Sequence, residues 1–167
     1  MTRFSFVLLL AALTLAACSG DTRRAAVESL RSAVNPPEPP PDTIPELLDY
    51  AADLQVDLSE MVKLPVGVLY RDLVTGQGPE VATGDSVEIH YLGWLPHGAL
   101  VDSAFIGLRV GAADVLPGID AALPGMKVGG TRKVVLSPGL GYGAEGGYGI
   151  PPGSVLVYEV ELRGRFP

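Results

Sequence analysis

The chain has 167 residues, with 12 lysines and arginines against 19 aspartates and glutamates, and one cysteine. The formal net charge of −7 argues against a nucleic-acid partner and against attachment to anionic lipid through basic residues. The single cysteine excludes an intramolecular disulfide.

The first 17 residues have the pattern of a bacterial export signal that ends at a lipid anchor. Arg3 precedes an apolar run shorter than the roughly 20 residues that a membrane span needs. The run ends in Leu15-Ala16-Ala17-Cys18, which resembles a lipobox, where the signal is cut before an acylated cysteine. We therefore expect residues 1–17 to be removed and Cys18 to hold the protein on a membrane, with a free thiol as the alternative. Ser19, in place of aspartate, favours the outer membrane of a bacterial cell envelope, facing the periplasm.

Two segments precede the main domain. Residues 18–42 include a proline-rich stretch that favours extended polyproline II, so we interpret them as a lipidated tether. Residues 43–65 open with Thr43-Ile44-Pro45-Glu46, the pattern of a capping box. Apolar side chains then recur at helical spacing and predict an amphipathic helical extension. They are Leu47, Ala51, Leu54 and Leu58.

From residue 66 to residue 167, short apolar runs alternate with glycine and proline turns. Alternating patterns predict strands over residues 87–91, 131–136 and 154–162. The helical candidate, residues 119–123, is stopped by a Pro-Gly pair. We expect an α+β domain with one antiparallel sheet and one short helix, because about 100 residues suffice for a single core.

A glycine-rich loop over residues 141–152 carries Tyr142 and Tyr148. Its start matches G-x-G-x-x-G, but Pro151-Pro152 forbids the helix that a dinucleotide site requires. Glycine lets the backbone approach a ligand closely, so we interpret the loop as one that presents its two rings. The alternative is a plain surface loop without a site.

Ordinary catalytic groups are scarce in this domain. His90 lies on the polar side of its strand and His97 in a turn, and neither has a second ligand at metal spacing, so we expect no metal and no cofactor. An aromatic and aliphatic set with one acid remains. It suits the twisting of an X-Pro amide, because that reaction needs only desolvation and a few hydrogen bonds. The set is Tyr91, Asp102, Val115, Leu116, Tyr142, Ile150 and Tyr158.

Six segments in order make the domain resemble the FKBP-type peptidyl-prolyl cis-trans isomerases, in a bacterial lipoprotein form. The resemblance implies a twisted antiparallel sheet wrapped around one short helix, with the pocket between them. It also implies proline-containing polypeptides as substrates and macrolides of the tacrolimus type as inhibitors. The segments are residues 87–93 (VEIHYLG), 101–103 (VDS), 115–118 (VLPG), 125–130 (GMKVGG), 142–143 (YG) and 149–162, which begins GIPP.

The same resemblance implies a role for each matched residue. Asp102, Tyr142 and Tyr91 form the catalytic group, with Asp102 beside the rotating carbonyl. The Tyr142 hydroxyl and the Ile150 amide donate to substrate carbonyls, and glycines 143–149 form a mobile flap. The substrate-binding wall comprises Val101, Phe105, Val115, Leu116, Ile119, Ile150 and Tyr158.

Three features depart from the family pattern. Val101 replaces a usual phenylalanine, and Ile119 replaces a usual tryptophan at the pocket floor. The segment 104–111 is several residues shorter than usual, and it contains Phe105, a ring that would restore the loss if it pointed into the pocket, although the sequence does not give its direction. Each lost ring removes about 1–3 kcal/mol of pocket contact.

Three functions are therefore compared. The first is a lipid-anchored prolyl isomerase that assists the folding of exported proteins. The second is a binding module or holdase chaperone on the same fold with weak isomerase activity, which Val101 and Ile119 favour. The third is a purely structural envelope lipoprotein.

Overall fold

The computed structural model describes residues 44–166, which form one antiparallel sheet and a short helix. The strands lie in the order β1-β2-β5-β6-β3-β4, and every neighbouring pair is antiparallel. Helix α1 spans Pro117–Ala122. The strands are β1 Val62–Lys63, β2 Leu69–Val74, β3 Ser86–Trp94, β4 Leu100–Arg109, β5 Thr131–Leu136 and β6 Leu156–Phe166. The predicted strands and helix are present, and β3 and β6 extend beyond their predicted ends.

The main core lies between one face of the sheet and α1. Alternate residues of β6 point to this core, while Glu159 and Glu161 point to the opposite, outer face, as the sequence pattern predicted. Ile119 of α1 and Leu123, the residue that caps its C-terminal end, are each only 1% exposed. The sheet residues that they meet in this core include Ile89, Val134, Leu136, Leu156, Tyr158, Val160 and Leu162.

Helix α1 lies unusually close to β5 because Gly118 has no side chain. A Cβ atom on Gly118 would stand 2.2 Å from Leu136 Cδ2, so only glycine allows this approach. Pro117 occupies the first turn, where its missing N–H costs no hydrogen bond. The helix is therefore held firmly against β5. Leu116, which precedes its first residue, packs against the main core.

The N-terminal arm, residues 44–61, is not the single α-helix that the sequence predicted. It forms three single-turn 3-10 helices, Pro45–Leu47, Ala52–Leu54 and Leu58–Glu60. Leu47, expected on the buried face, is 64% exposed. The apolar residues of the arm that pack on the sheet are too irregularly spaced for one helical stripe, so turns with extended links bring them inward. They are Leu48, Tyr50, Ala51, Leu54, Val56, Leu58 and Met61.

The arm covers a second, smaller apolar cluster on the outer face of the sheet, formed by Leu54, Leu69, Val135, Val155 and Val157. No helix within residues 44–166 is long and apolar enough to cross a bilayer. The predicted signal, lipidation site, tether and Thr43 cap lie outside the described residues.

Arg132 joins α1 to the sheet from a buried position. Its Nε and Nη2 donate to the two carboxylate oxygens of Asp72 at 2.6 and 3.0 Å. Its Nη1 donates to the Ala122 carbonyl at 2.7 Å, at the end of α1, and its guanidinium lies 4.1 Å from the centroid of the Tyr70 ring. A planar guanidinium reaches all three partners at once, which a lysine ammonium does not.

Replacing Arg132 with lysine should lower the free energy of unfolding by about 1–3 kcal/mol, the range for hydrogen bonds to charged groups. The control is Arg163→Lys, because the Arg163 side chain is 51% exposed in its 2.9 Å ion pair with Glu161. That change should cost less than about 0.5 kcal/mol. Denaturant unfolding of both variants measures the difference, and equal losses would contradict the role given to Arg132.

Candidate active site

The site is built on a row of three residues that crosses three neighbouring strands. Gly93 on β3 pairs with Asp102 on β4 and with Tyr158 on β6. A Cβ atom on Gly93 would stand 2.5 Å from Tyr158 Cε1, so the tyrosine ring lies across the space that a side chain would fill. The Tyr158 hydroxyl thereby reaches over β3 and donates to Asp102 Oδ2 at 2.9 Å.

Two further tyrosines complete the cluster. The Tyr142 hydroxyl, from the glycine-rich loop, donates to the same Asp102 Oδ2 at 3.3 Å. The Tyr91 ring meets the Tyr158 ring edge to face, with centroids 5.7 Å apart and an interplanar angle of 72°. The structure therefore brings together Asp102, Tyr142, Tyr91 and Tyr158, all of which the sequence placed in the site.

Burial and the nearby carboxylate both act on the protons of these tyrosines. Burial, and next the hydrogen bond and charge of Asp102, raise the pKa of the Tyr158 hydroxyl far above its usual value. Burial, and next the Asp102 charge, raise the pKa values of Tyr142 and Tyr91. All three hydroxyls therefore keep their protons at neutral pH, and those of Tyr142 and Tyr158 are donors.

The two hydrogen bonds to Asp102 differ in a way that separates their roles. Tyr158 is fully buried and makes the shorter bond, so it fixes the carboxylate. Tyr142 is half-buried and makes the longer, weaker bond from a loop. The Tyr142 hydroxyl is therefore the one that can turn toward a bound carbonyl.

The apolar residues predicted for the wall divide into two groups by burial. Val101, Val115 and Leu116 are half-buried and pack against the main core, so each presents part of its surface. Ile119 and Ile150 are only 1% and 4% exposed, and Tyr158 is fully buried. These three side chains are therefore part of the main core and expose almost no surface to a ligand.

The Ile150 amide does not have the free N–H that the sequence interpretation required. It donates to the Gly147 carbonyl at 2.9 Å, and the Gly147 amide donates back to the Ile150 carbonyl at 3.0 Å. These bonds close a two-residue turn in which Tyr148 and Gly149 have φ of 52° and 84°, as a type I′ hairpin requires. The loop thus uses the Ile150 amide for its own structure.

Leu116 supplies a backbone donor that the sequence interpretation missed. Within residues 44–166, the Leu116 amide donates to no hydrogen bond, while its carbonyl accepts the Asp120 amide at 3.0 Å. Leu116 is the N-cap of α1, and Pro117 after it favours its extended backbone, with φ −52° and ψ 138°. The Pro-Gly signal for the helix start could have indicated that the amide just before it is unpaired.

The structure does not bring Phe105 into the site. Phe105 pairs with His90 on β3, is 59% exposed and lies with its ring 6.4 Å from the His90 ring on the outer face of the sheet. It is three residues from Asp102 along a strand, and side chains at odd spacing point to opposite faces. The lost ring is therefore not restored from this position. No group of three metal-ligating side chains occurs within residues 44–166.

Residues 78–163 match the family described as FKBP-type peptidyl-prolyl cis-trans isomerase. The chain belongs to this family. It is 39% identical over 102 residues to the FK506-binding protein of Neisseria meningitidis serogroup B, which covers 58% of this chain and 94% of that protein. It is also 39% identical over 108 residues to FK506-binding protein 4 of Dictyostelium discoideum, but spans only 30% of that longer protein.

Solved structures of FKBP-type proteins share the fold. AtFKBP13 superposes with a TM-score of 0.59 and 32% identity, covering 64% of this chain and 99% of that one. A peptidyl-prolyl cis-trans isomerase from Pseudomonas syringae pv. tomato has the same TM-score of 0.59 with 30% identity, covering 70% and 87%. The fold and the isomerase class predicted from the sequence are confirmed.

Gly93 is the residue of this FKBP-type site whose role the sequence interpretation overlooked. In the sequence, Gly93 is the last residue of the matching segment 87–93. A glycine inside a strand pattern indicates that another group approaches the backbone closely. The glycine therefore indicated a close approach to the backbone of β3. The sequence did not indicate which residue makes that approach, because only the register of β3 against β6 places Tyr158 opposite Gly93.

Replacing Gly93 with alanine should displace the Tyr158 ring and lengthen its hydrogen bond to Asp102. We expect a loss of about 1–3 kcal/mol in the free energy of unfolding, as for other overpacked sites. Prolyl isomerisation should fall as well, because the carboxylate loses its fixed position.

The matched control is Gly107→Ala on the adjacent strand. The nearest atom to a Cβ there is the Val87 carbonyl oxygen at 3.9 Å, an ordinary contact. That variant should unfold at nearly the wild-type denaturant concentration. The role of Gly93 is refuted if both variants retain wild-type stability and activity.

Proposed function

We propose that this FKBP-type isomerase twists X-Pro amides of exported polypeptides in an apolar pocket beside Asp102, while held on the cell envelope through lipid on Cys18. The observation that carries the proposal is the convergence of two tyrosine hydroxyls on one oxygen of Asp102. The half-buried side chains that pack against the main core, to which Tyr158 belongs, supply the apolar surface in this proposal. They are Tyr91, Val101, Val115 and Leu116.

The chemistry needs no nucleophile. A planar X-Pro amide is stabilised by resonance, and rotation about its C–N bond faces a barrier of about 18–20 kcal/mol. The twisted amide has less charge separation than the planar one, so an environment without water favours the twisted form. Tyrosine and aliphatic surfaces around Asp102 provide such an environment, and their preorganised polar groups hold the substrate in place.

Two donors are available to orient the substrate carbonyls. One is the Tyr142 hydroxyl, which exchanges its long bond to Asp102 for a substrate carbonyl. The other is the Leu116 amide, which has no partner within the described residues. Leu116 replaces Ile150 in this role because the Ile150 amide is already bonded to Gly147. The same donors suit the carbonyls of a tacrolimus-type macrolide, and the relatives named FK506-binding proteins support such a ligand.

The departure at Ile119 favours the isomerase over a wide, weakly catalytic cleft. Ile119 is 1% exposed, so its side chain is closely packed in the main core and lines no open cleft. Val101 also packs against the main core. The holdase alternative drew its support from the wider pocket that missing rings would leave, and the burial of Ile119 argues against such a gap at that position.

Replacing Tyr142 with phenylalanine should lower kcat/KM on a proline tetrapeptide about 2- to 12-fold, since one hydrogen bond is worth about 0.5–1.5 kcal/mol. Asp102→Asn should lower it further, because the neutral amide oxygen is a weaker acceptor for both hydroxyls than the carboxylate oxygen. A protease-coupled peptide assay and proline-limited refolding of an unfolded protein measure both.

Tyr50→Phe is the control, because the Tyr50 hydroxyl donates to the Pro45 carbonyl at 2.8 Å within the arm. It removes the same hydroxyl group from a position outside the site and should leave kcat/KM unchanged. A wild-type protein without activity in either assay would refute the proposed function and favour the holdase.

The envelope location rests on Leu15-Ala16-Ala17-Cys18 and is tested separately. Cys18→Ser should abolish labelling by palmitate and move the protein from the membrane fraction to the soluble fraction. Ser19→Asp tests the sorting expectation, since it should shift the protein to the inner membrane. Continued labelling of the Cys18→Ser variant would show that the lipobox assignment is wrong.

A further inference from the structure

The two edges of the sheet are protected very differently. One edge is β1, which has two residues and carries Lys63 in an ion pair with Glu46 at 2.7 Å. The other edge is β4, which has ten residues and no neighbour on its outer side within residues 44–166. Proteins usually prevent an edge strand from pairing with another chain by keeping the strand short or by placing lysine or proline on it. The sequence of β4 has neither lysine nor proline, and no charged side chain between Asp102 and Arg109.

The hydrogen bonds at the end of β4 establish which of its residues face outward. The Val110 amide donates to the Asp85 carbonyl at 2.9 Å, so even-numbered residues direct their backbone groups toward β3. The Arg109 amide instead donates to Asp114 Oδ2 at 3.1 Å, on the outer side. The register is regular from Arg109 back to Asp102, so odd-numbered residues of this stretch face outward.

Three residues therefore present unpaired backbone groups along the outer edge: Ser103, Phe105 and Gly107. Arg109 is closed off, because its amide meets Asp114 and its carbonyl accepts the Ala112 amide at 3.1 Å. No amide or carbonyl of the other three has a partner outside the β3 ladder within the described residues. We call Ser103–Gly107 the open edge.

The side chains along the open edge are uncharged. Phe105 is 59% exposed on the outer face, with Ser103 and Gly107 exposed beside it. Ala104 and Ile106 are half-buried on the other face. A strand added here would alternate its side chains between the Phe105 ring and the Ala104–Ile106 surface.

We propose that the open edge binds an extended, uncharged apolar segment of the client polypeptide as an additional antiparallel or parallel strand. This inference rests on the proposed function, because the client is the same chain whose proline enters the site. The open edge begins at the residue after Asp102 and is about 13 Å long, at about 3.3 Å per residue. A segment paired along it has one end beside the catalytic carboxylate.

Strand addition accounts for two properties that such a client site needs. Main-chain hydrogen bonds supply affinity without requiring a particular sequence, so unrelated unfolded chains bind. Proline has no N–H and is disfavoured in a paired strand. The paired segment is therefore free of proline and flanks the target proline, which is left at the Asp102 end.

Hydrogen exchange of individual amides tests this pattern directly in the full chain. The probe is a ten-residue peptide of alternating valine and threonine without proline. The amides of Ser103, Phe105 and Gly107 should exchange at least about tenfold more slowly with the peptide, as newly bonded groups do. The amides of Ala104 and Ile106 should be slow with and without it.

Gly107→Pro provides the matching variant, since it removes one outward N–H and obstructs strand addition. Gly107→Ala keeps the amide and is the control. The proline variant should bind the peptide at least about tenfold more weakly. The Gly107→Pro variant should also accelerate the refolding of a long unfolded protein less than the wild-type protein does. Its rate of tetrapeptide isomerisation should equal that of the wild type.

The outcomes separate this inference from the proposed function. Normal tetrapeptide isomerisation with no protection of the three amides overturns the inference alone. If the three amides become protected without peptide as the protein concentration rises, a second copy of the chain occupies the open edge. That result overturns the proposal that the client polypeptide binds there. Equal slowing of hydrogen exchange at even- and odd-numbered residues of β4 also overturns the inference, since it indicates that the peptide stabilises the whole fold. If Gly107→Pro fails to fold, the wild-type exchange pattern still decides.

Discussion

The site depends on the contact between the Tyr158 ring and the bare backbone of Gly93. Without a side chain on the middle strand, a tyrosine from one neighbour reaches a carboxylate on the other. The ring is fully buried, so its hydroxyl must have an acceptor, and Asp102 is that acceptor. Asp102, which is predicted to be catalytic, is thus also part of the core's hydrogen bonding, and its position is set by the sheet.

This dual use explains why Tyr142 and Tyr158 are not equivalent despite sharing one oxygen. A core residue and a loop residue both donate to Asp102, and the bond from the loop residue is the longer one. The loop is itself stiffened by the paired bonds between Gly147 and Ile150. Asp102 is therefore held within a rigid frame, and polar groups that are fixed in advance are how preorganised sites gain their effect.

The parts of this site that sequence could predict are those that rest on local pattern. Strand β5 begins and ends at its predicted residues because alternation and flanking turns are local signals. Asp102, Tyr91 and Tyr142 were placed together by family resemblance, and the structure brings them together. The predictions for Phe105 and for the Ile150 amide were not met. The face on which Phe105 lies depends on the register between strands, and the partner of the Ile150 amide depends on how the loop folds back on itself.

The helical arm failed for a different reason. Its spacing of four leucine and alanine positions suited a helix, but tyrosine, valine and methionine between them also find apolar surface on the sheet. Tertiary burial of seven side chains outweighed a weak helical propensity over a short segment. Sequence alone does not contain the shape of the surface that the arm covers.

The arm also buries a charge, and this determines how firmly it is held. Lys133, with its side chain only 5% exposed, donates to the Leu54 carbonyl under the arm and lies 3.7 Å from Glu159. Burial lowers the pKa of Lys133, which means that its charged form has lost hydration that these partners do not fully replace. When the arm lifts, water returns to the ammonium and repays part of the lost apolar contact. Lifting the arm therefore costs less free energy than its apolar contacts alone would require, because the buried charge regains its hydration.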